Sequence, residues 1–147
     1  MVERASSEHP ALSRWQMLQA LGDRLEQLLL APGSTADGFV PTLDKLTREL
    51  DTTMFQDVEL AGFEVVRIGS DKLSRYGALH SLHTACVVWL VARRKEWVDG
   101  KRLNALKAAL TMNIAVTDLQ TTLALQSGPM EELQRQRMRN HPLDGRH

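Results

Sequence analysis

The sequence predicts an all-α fold, a single compact multi-helix domain, and three observations predict it. Leucines recur at three- and four-residue spacing in several separate stretches. Proline and glycine clusters fall between those stretches. The length of 147 residues, with 43% hydrophobic and 24% charged, suits one domain with a real core.

The first helix opens near Pro10, a residue suited to a first helical position. From there Leu12, Trp15, Leu18, Leu21, Leu25, Leu28 and Leu29 form one apolar stripe, which "APG" at 31–33 stops. "GSTADG" is a loop, and Pro41 opens a second helix with Leu43, Leu46 and Leu50 on one face. In "DVELAGFEVVRI", 57–68, the apolar spacing fits a helix while the paired valines leave a strand open. Helical surroundings favour the helix.

A third strong pattern runs from Asp71 to Lys95. It places Tyr76, Leu79, His83, Cys86, Val87 and Leu90 on one side, and "RRKE" ends it with cations favourable at a helix C-terminus. Gly100 separates it from "LNALKAALTMNIAV", where Leu103, Leu106, Leu110 and Asn113 share a face. "QSGP" at 126–129 breaks the chain, and Pro129 opens a polar helix that runs up to His141-Pro142. Five to seven helices around one core result: an N-terminal helical region, 1–70, and a helical core, 71–147, as one structural unit. No heptad seam is sustained, which argues against a coiled coil.

Charge excludes more than it suggests. Lys plus Arg and Asp plus Glu are 18 each, so net charge gives no reason to expect nucleic acid or an anionic membrane. The longest apolar run, "ACVVWLVA" at 85–92, is too short to span a bilayer, and the N-terminus has no secretory signal pattern. A lone cysteine, Cys86, excludes an intrachain disulfide and is compatible with a reducing compartment. A cytoplasmic location is expected.

The residues offer few pieces of chemistry. In "HSLHTAC", His80 and His83 are helix neighbours whose imidazoles suit a shared metal, but Cys86 lies about 240° around the helix from His80. Core or groove-lining histidines are the better reading. Cys86 sits in the most hydrophobic segment, where an unactivated thiol is inert. There is no nucleophile elbow, Gly-rich phosphate loop or C-x-x-C pair. Glu131-Glu132 complement a helix dipole, and "RQRMR" at 135–139 reads as a solvated helix face.

Taken in order, three segments resemble the HD superfamily of phosphohydrolases, most closely its HD-GYP branch. They are His80-Ser81, then "AALTMNIAV" at 108–116, then Gly128-Pro129 with a helix leading to His141-Pro142 and Gly145. The resemblance covers about 76–145, roughly half the chain. It implies an HD-type helical fold with metal bound by the counterparts of His80, His141 and a His-Asp pair, and with a metal-activated water attacking a phosphodiester.

At the position of that His-Asp pair this chain has Met112 and Asn113, and Val116 stands where the family has Lys. A thioether is a soft ligand, poorly suited to Fe, Mn or Mg, and an amide has lost the carboxylate's charge. The sequence also ends at His147, before the region that supplies the branch's later ligands. The resemblance therefore implies a degenerate, truncated HD-like domain with no catalytic residue, no cofactor and no metal. Its vestigial site is His80, Met112, Asn113 and His141, with Met112 and Asn113 filling the old pocket by packing and a hydrogen bond. His80, Asn113 and His141 should then converge on one pocket.

The function expected is a regulatory or protein-interaction module of a bacterial signalling protein, meeting a protein partner or itself through apolar helix faces. The enzyme alternative is a metal-dependent phosphohydrolase or cyclic-dinucleotide phosphodiesterase, using Fe, Mn or Mg and a small-molecule nucleotide. Its remaining ligands would lie outside the chain, with His83 as a possible alternative ligand. A third reading is an unrelated helical bundle.

Overall fold

In the computed structural model, which describes residues 13–59 and 70–146, the first helix, α1 (Arg14–Leu30), begins at a capping box. The Ser13 hydroxyl accepts from the Gln16 amide at 3.2 Å, and the Gln16 side chain accepts from the Ser13 amide at 2.8 Å. Two amides that an isolated helix start leaves unpaired are thereby satisfied. Pro10 and Leu12 lie outside the described residues, as does most of "DVELAGFEVVRI".

α2 (Phe39–Gln56) follows Gly38, whose φ of 86° is a backbone conformation that glycine adopts without strain. Pro41 stands in the first turn, where its missing N–H is no loss. The leucine stripes fall where their spacing puts them. Leu18, Leu21, Leu25, Leu28 and Leu29 of α1 and Leu43, Leu46 and Leu50 of α2 are all buried. Two threonines, Thr47 and Thr53, enter the core by donating their hydroxyls to Leu43 O and Glu49 O at 2.7 and 2.8 Å. Salt bridges tie the elements at the surface: Arg24 to Glu49, and Lys107 to Asp44.

A 3₁₀ turn, Ser70–Arg75, leads into α3 (Tyr76–Arg94), the central helix, and α3 forms a hairpin with α4 (Asp99–Thr111). The buried face of α3 differs from the expected one. Gly77, Ala78, Ser81, Leu82, Ala85, Cys86, Trp89 and Ala92 are inside, while Val87 and Val91 are 42% and 46% exposed. Of the predicted side, only Cys86 is buried. Size decides the face, since small residues let α1, α4 and the next helix approach α3 closely. Gly77 is the extreme case, because a Cβ there would sit 2.1 Å from the Thr117 carbonyl oxygen.

The α3–α4 connection is a Schellman turn, with the Trp97 amide donating to Ala92 O at 3.0 Å and the Glu96 amide to Arg93 O at 3.1 Å. Gly100 lies inside the first turn of α4 rather than separating the two helices. On α4, Leu106 and Leu110 are buried as expected, but they are joined by Arg102 and Ala109. A second 3₁₀ turn, Ile114–Val116, leads to α5 (Thr117–Leu125) and then α6 (Glu132–Asp144). α6 runs through Pro142 rather than ending before it.

The fold is all-α in one domain, and among the described residues there is no strand. A single core cluster draws on α1, α2, α3 and α4, so both halves of the chain contribute to it. Among the described residues no helix is long and apolar enough to cross a membrane.

Candidate functional site

Hairpin geometry brings the motif segments together. His80 lies fourteen residues before Arg94, the last residue of α3, and Asn113 lies fourteen after Asp99, the first of α4. At about 1.5 Å per residue both stand about 21 Å from the turn, at the same end of the bundle. α6 packs on the Ile114–Val116 turn, and a Cβ on Gly145 would lie 3.6 Å from Ile114 Cγ2. The His141 end of α6 is therefore beside the residue that follows Asn113.

The side chains themselves are occupied locally. The imidazole of His80 is half-buried and stacks on Tyr76, with ring centroids 5.6 Å apart and planes 9° from parallel. Burial pushes the His80 pKa below its ordinary value, and the nearby charge of His83 pushes the same way. At pH 7 His80 is thus a neutral imidazole, while the half-buried His83 sits one turn along α3. Next to His80, Ser81 Oγ is buried and has no hydrogen-bond partner among the described residues.

Met112 caps the end of α4 and is 38% exposed, so it does not fill a pocket as the sequence suggested. Asn113 is buried, and its backbone carbonyl organises the turn by accepting from the Val116 amide at 2.9 Å and the Thr117 hydroxyl at 3.1 Å.

His141 has a structural task that sequence reasoning missed. Pro142 has no N–H for the Met138 carbonyl four residues back, and His141 Nδ1 lies 2.6 Å from that oxygen. With Nδ1 protonated, the ring supplies the donor that proline lacks, which is how α6 continues through Pro142. A His-Pro pair inside a helix was the available signal. No hydrogen bond links His80, Asn113 and His141 to one another. Among the described residues, no three His, Cys, Asp or Glu side chains cluster so as to hold a metal ion.

Another polar cluster also went unforeseen. Arg102, on α4, pairs with Asp51 of α2, and Trp89 of α3 donates to the same carboxylate at 2.8 Å. Arg102 precedes Leu106 by four residues, and a charge in an apolar stripe was the clue that a buried partner exists. A well-formed groove lies elsewhere. It holds about 470 Å³ between α1 and α2, is mostly apolar, is bridged by Arg24 and Glu49, and contains none of the motif residues.

Comparison with protein-family models, with curated proteins and with solved structures finds no match to this chain.

Proposed function

We propose that this chain is a non-catalytic, HD-like helical module that works through contacts with protein. One observation carries the reading. Where an active HD site needs an imidazole and a carboxylate side by side, this chain has a partly exposed thioether, Met112, and an amide, Asn113, whose backbone carbonyl holds a turn. Neither side chain activates a metal-bound water. His141, the later family position, places its Nδ1 against the Met138 carbonyl. The contact face would be the outer side of α3, where Val87 and Val91 are exposed one turn apart.

Purified protein, prepared with iron and manganese, should hold less than about a tenth of an equivalent of either and should not hydrolyse cyclic di-GMP. Stoichiometric metal that disappears in the His80→Ala/His141→Ala double variant would overturn the reading. The contact face has its own test: Val87→Glu/Val91→Glu should reduce self-association seen by sedimentation while leaving the helical content unchanged.

One observation favours the enzyme alternative. His80 is neutral at pH 7 and close enough to His83 to feel its charge, which are properties of a ligand pair awaiting further donors. Metal retained at His80 and His83 alone would select that alternative.

A further inference from the structure

We infer that α6 is a detachable strap: it opens from the 113–117 turn while the helices of the core stay folded. None of the thirteen residues of α6 is buried, whereas α1 buries six and α3 eight. The stripe that α6 turns inward is Gln134, Met138 and His141, all only half-buried, so a single thioether lies between two polar groups.

The ties that hold the strap are polar. Arg137 Nη2 reaches both oxygens of Asp118 at 2.9 and 3.1 Å, and the Ala115 carbonyl at 3.4 Å. The two partners are 49% and 60% exposed, where ion pairs contribute little. Gln126 and Gln134 exchange amide hydrogen bonds at 2.8 and 3.3 Å. Helices of this length are marginal in water without an apolar face to bury.

The connection is built to guide the strap back. Gln126 Nε2 donates to the Pro129 carbonyl at 2.7 Å, and Glu131 with Gln134 forms a capping box that keeps the helix start nucleated. Opening carries His141 away from Asn113. The positions of the HD resemblance are therefore gathered only in the closed state, and access to the 113–117 turn is gated by α6. This inference stands whether or not the proposed function does, because it concerns only how α6 is held.

Hydrogen exchange followed by mass spectrometry on the full 147-residue chain tests it. Peptides within 133–144 should exchange at least about a hundredfold faster than those of α1, α3 and α4. Asp118→Asn should speed α6 exchange a further two- to fivefold, roughly the weight of one exposed ion pair. Met138→Ala should act in the same direction, with α1 and α3 unchanged in both variants. Protection of α6 equal to that of the core would overturn the inference. So would two variants that leave α6 unchanged, or that speed all helices by one factor.

Discussion

Arg102 Nε and Nη2 donate to the two carboxylate oxygens of Asp51 at 2.8 and 3.0 Å, joining α4 to α2 with the arginine only 7% exposed. Trp89 donates to one of those oxygens, and the Phe55 ring lies 4.7 Å from the Arg102 guanidinium carbon. Nη2 also reaches Asp99 at the start of α4, so α2, α3 and α4 meet at one ion pair. Removing the carboxylate leaves a buried guanidinium and an indole N–H without their partner. Asp51→Ala should cost about 3–5 kcal/mol in urea denaturation. Adding Arg102→Met to it should recover most of that loss, because the cost is an orphaned charge rather than missing volume. A double variant no more stable than Asp51→Ala would show that the pair itself supplies the stability.

Two glycines make a matched test of close approach. Gly77→Ala puts a Cβ 2.1 Å from backbone oxygen of Thr117, so α3 and α5 must separate. That separation also strains the 3.0 Å bond from the Gly77 amide to Thr121 Oγ1. Destabilisation of about 3 kcal/mol is expected. Gly22→Ala, in the middle of α1, meets only side-chain atoms at ordinary contact distance, Leu82 Cδ2 at 3.4 Å and Leu79 Cδ2 at 4.0 Å. There the helix preference of alanine should prevail, giving a gain of about 0.5–1 kcal/mol. Thermal melts of the two variants should therefore shift in opposite directions.

Glu96 is the residue after the cap of α3 and has φ 52°, in the left-handed region where a Schellman turn usually has glycine. The strain of holding a Cβ there is partly offset in Glu96→Gly by the larger chain entropy glycine loses on folding. A net gain of about 0.5–1 kcal/mol is expected, read as a higher urea midpoint. A loss would mean that the glutamate side chain contributes more than its backbone costs.

Much of the fold was legible because leucine is large and its spacing is periodic. α1 and α2 bury Leu18, Leu25, Leu46 and Leu50, where apolar and polar faces contrast clearly. α3 was misread because it is apolar on most sides, so hydropathy alone gave no contrast. The decisive property was the small size of Gly77, Ala78, Ser81 and Ala85, which depends on neighbours that a spacing rule does not see. α6 ran past Pro142 because a side chain, His141, replaced the missing backbone donor. At the candidate site, the sequence pattern singled out His80, Met112, Asn113 and His141, whereas the structure ties His141 to the Met138 carbonyl. The pattern did not foresee that Met112 is partly exposed, since that follows from where α4 ends.

His80 gives the protein a pH dependence whose sign is fixed by its surroundings. Burial against Tyr76, together with the charge of His83, lowers its folded pKa below the unfolded value of about 6.5. In the window between the two values the unfolded chain binds more protons than the native one, so stability rises with pH there. The His80 contribution is fully present above about pH 6.5 and is lost as pH falls through the lower folded value. Asp118 does not interfere in this range. Burial raises its pKa, but the Arg137 hydrogen bond and backbone amides outweigh burial and hold the carboxyl below its usual value, so it titrates at more acid pH. Urea midpoints measured at about pH 7.5 and about pH 5.5 should fall for the native sequence. They should fall less for His80→Gln, which keeps the polar ring position filled without a proton to gain. Equal falls in the two proteins would place the pH dependence on other groups.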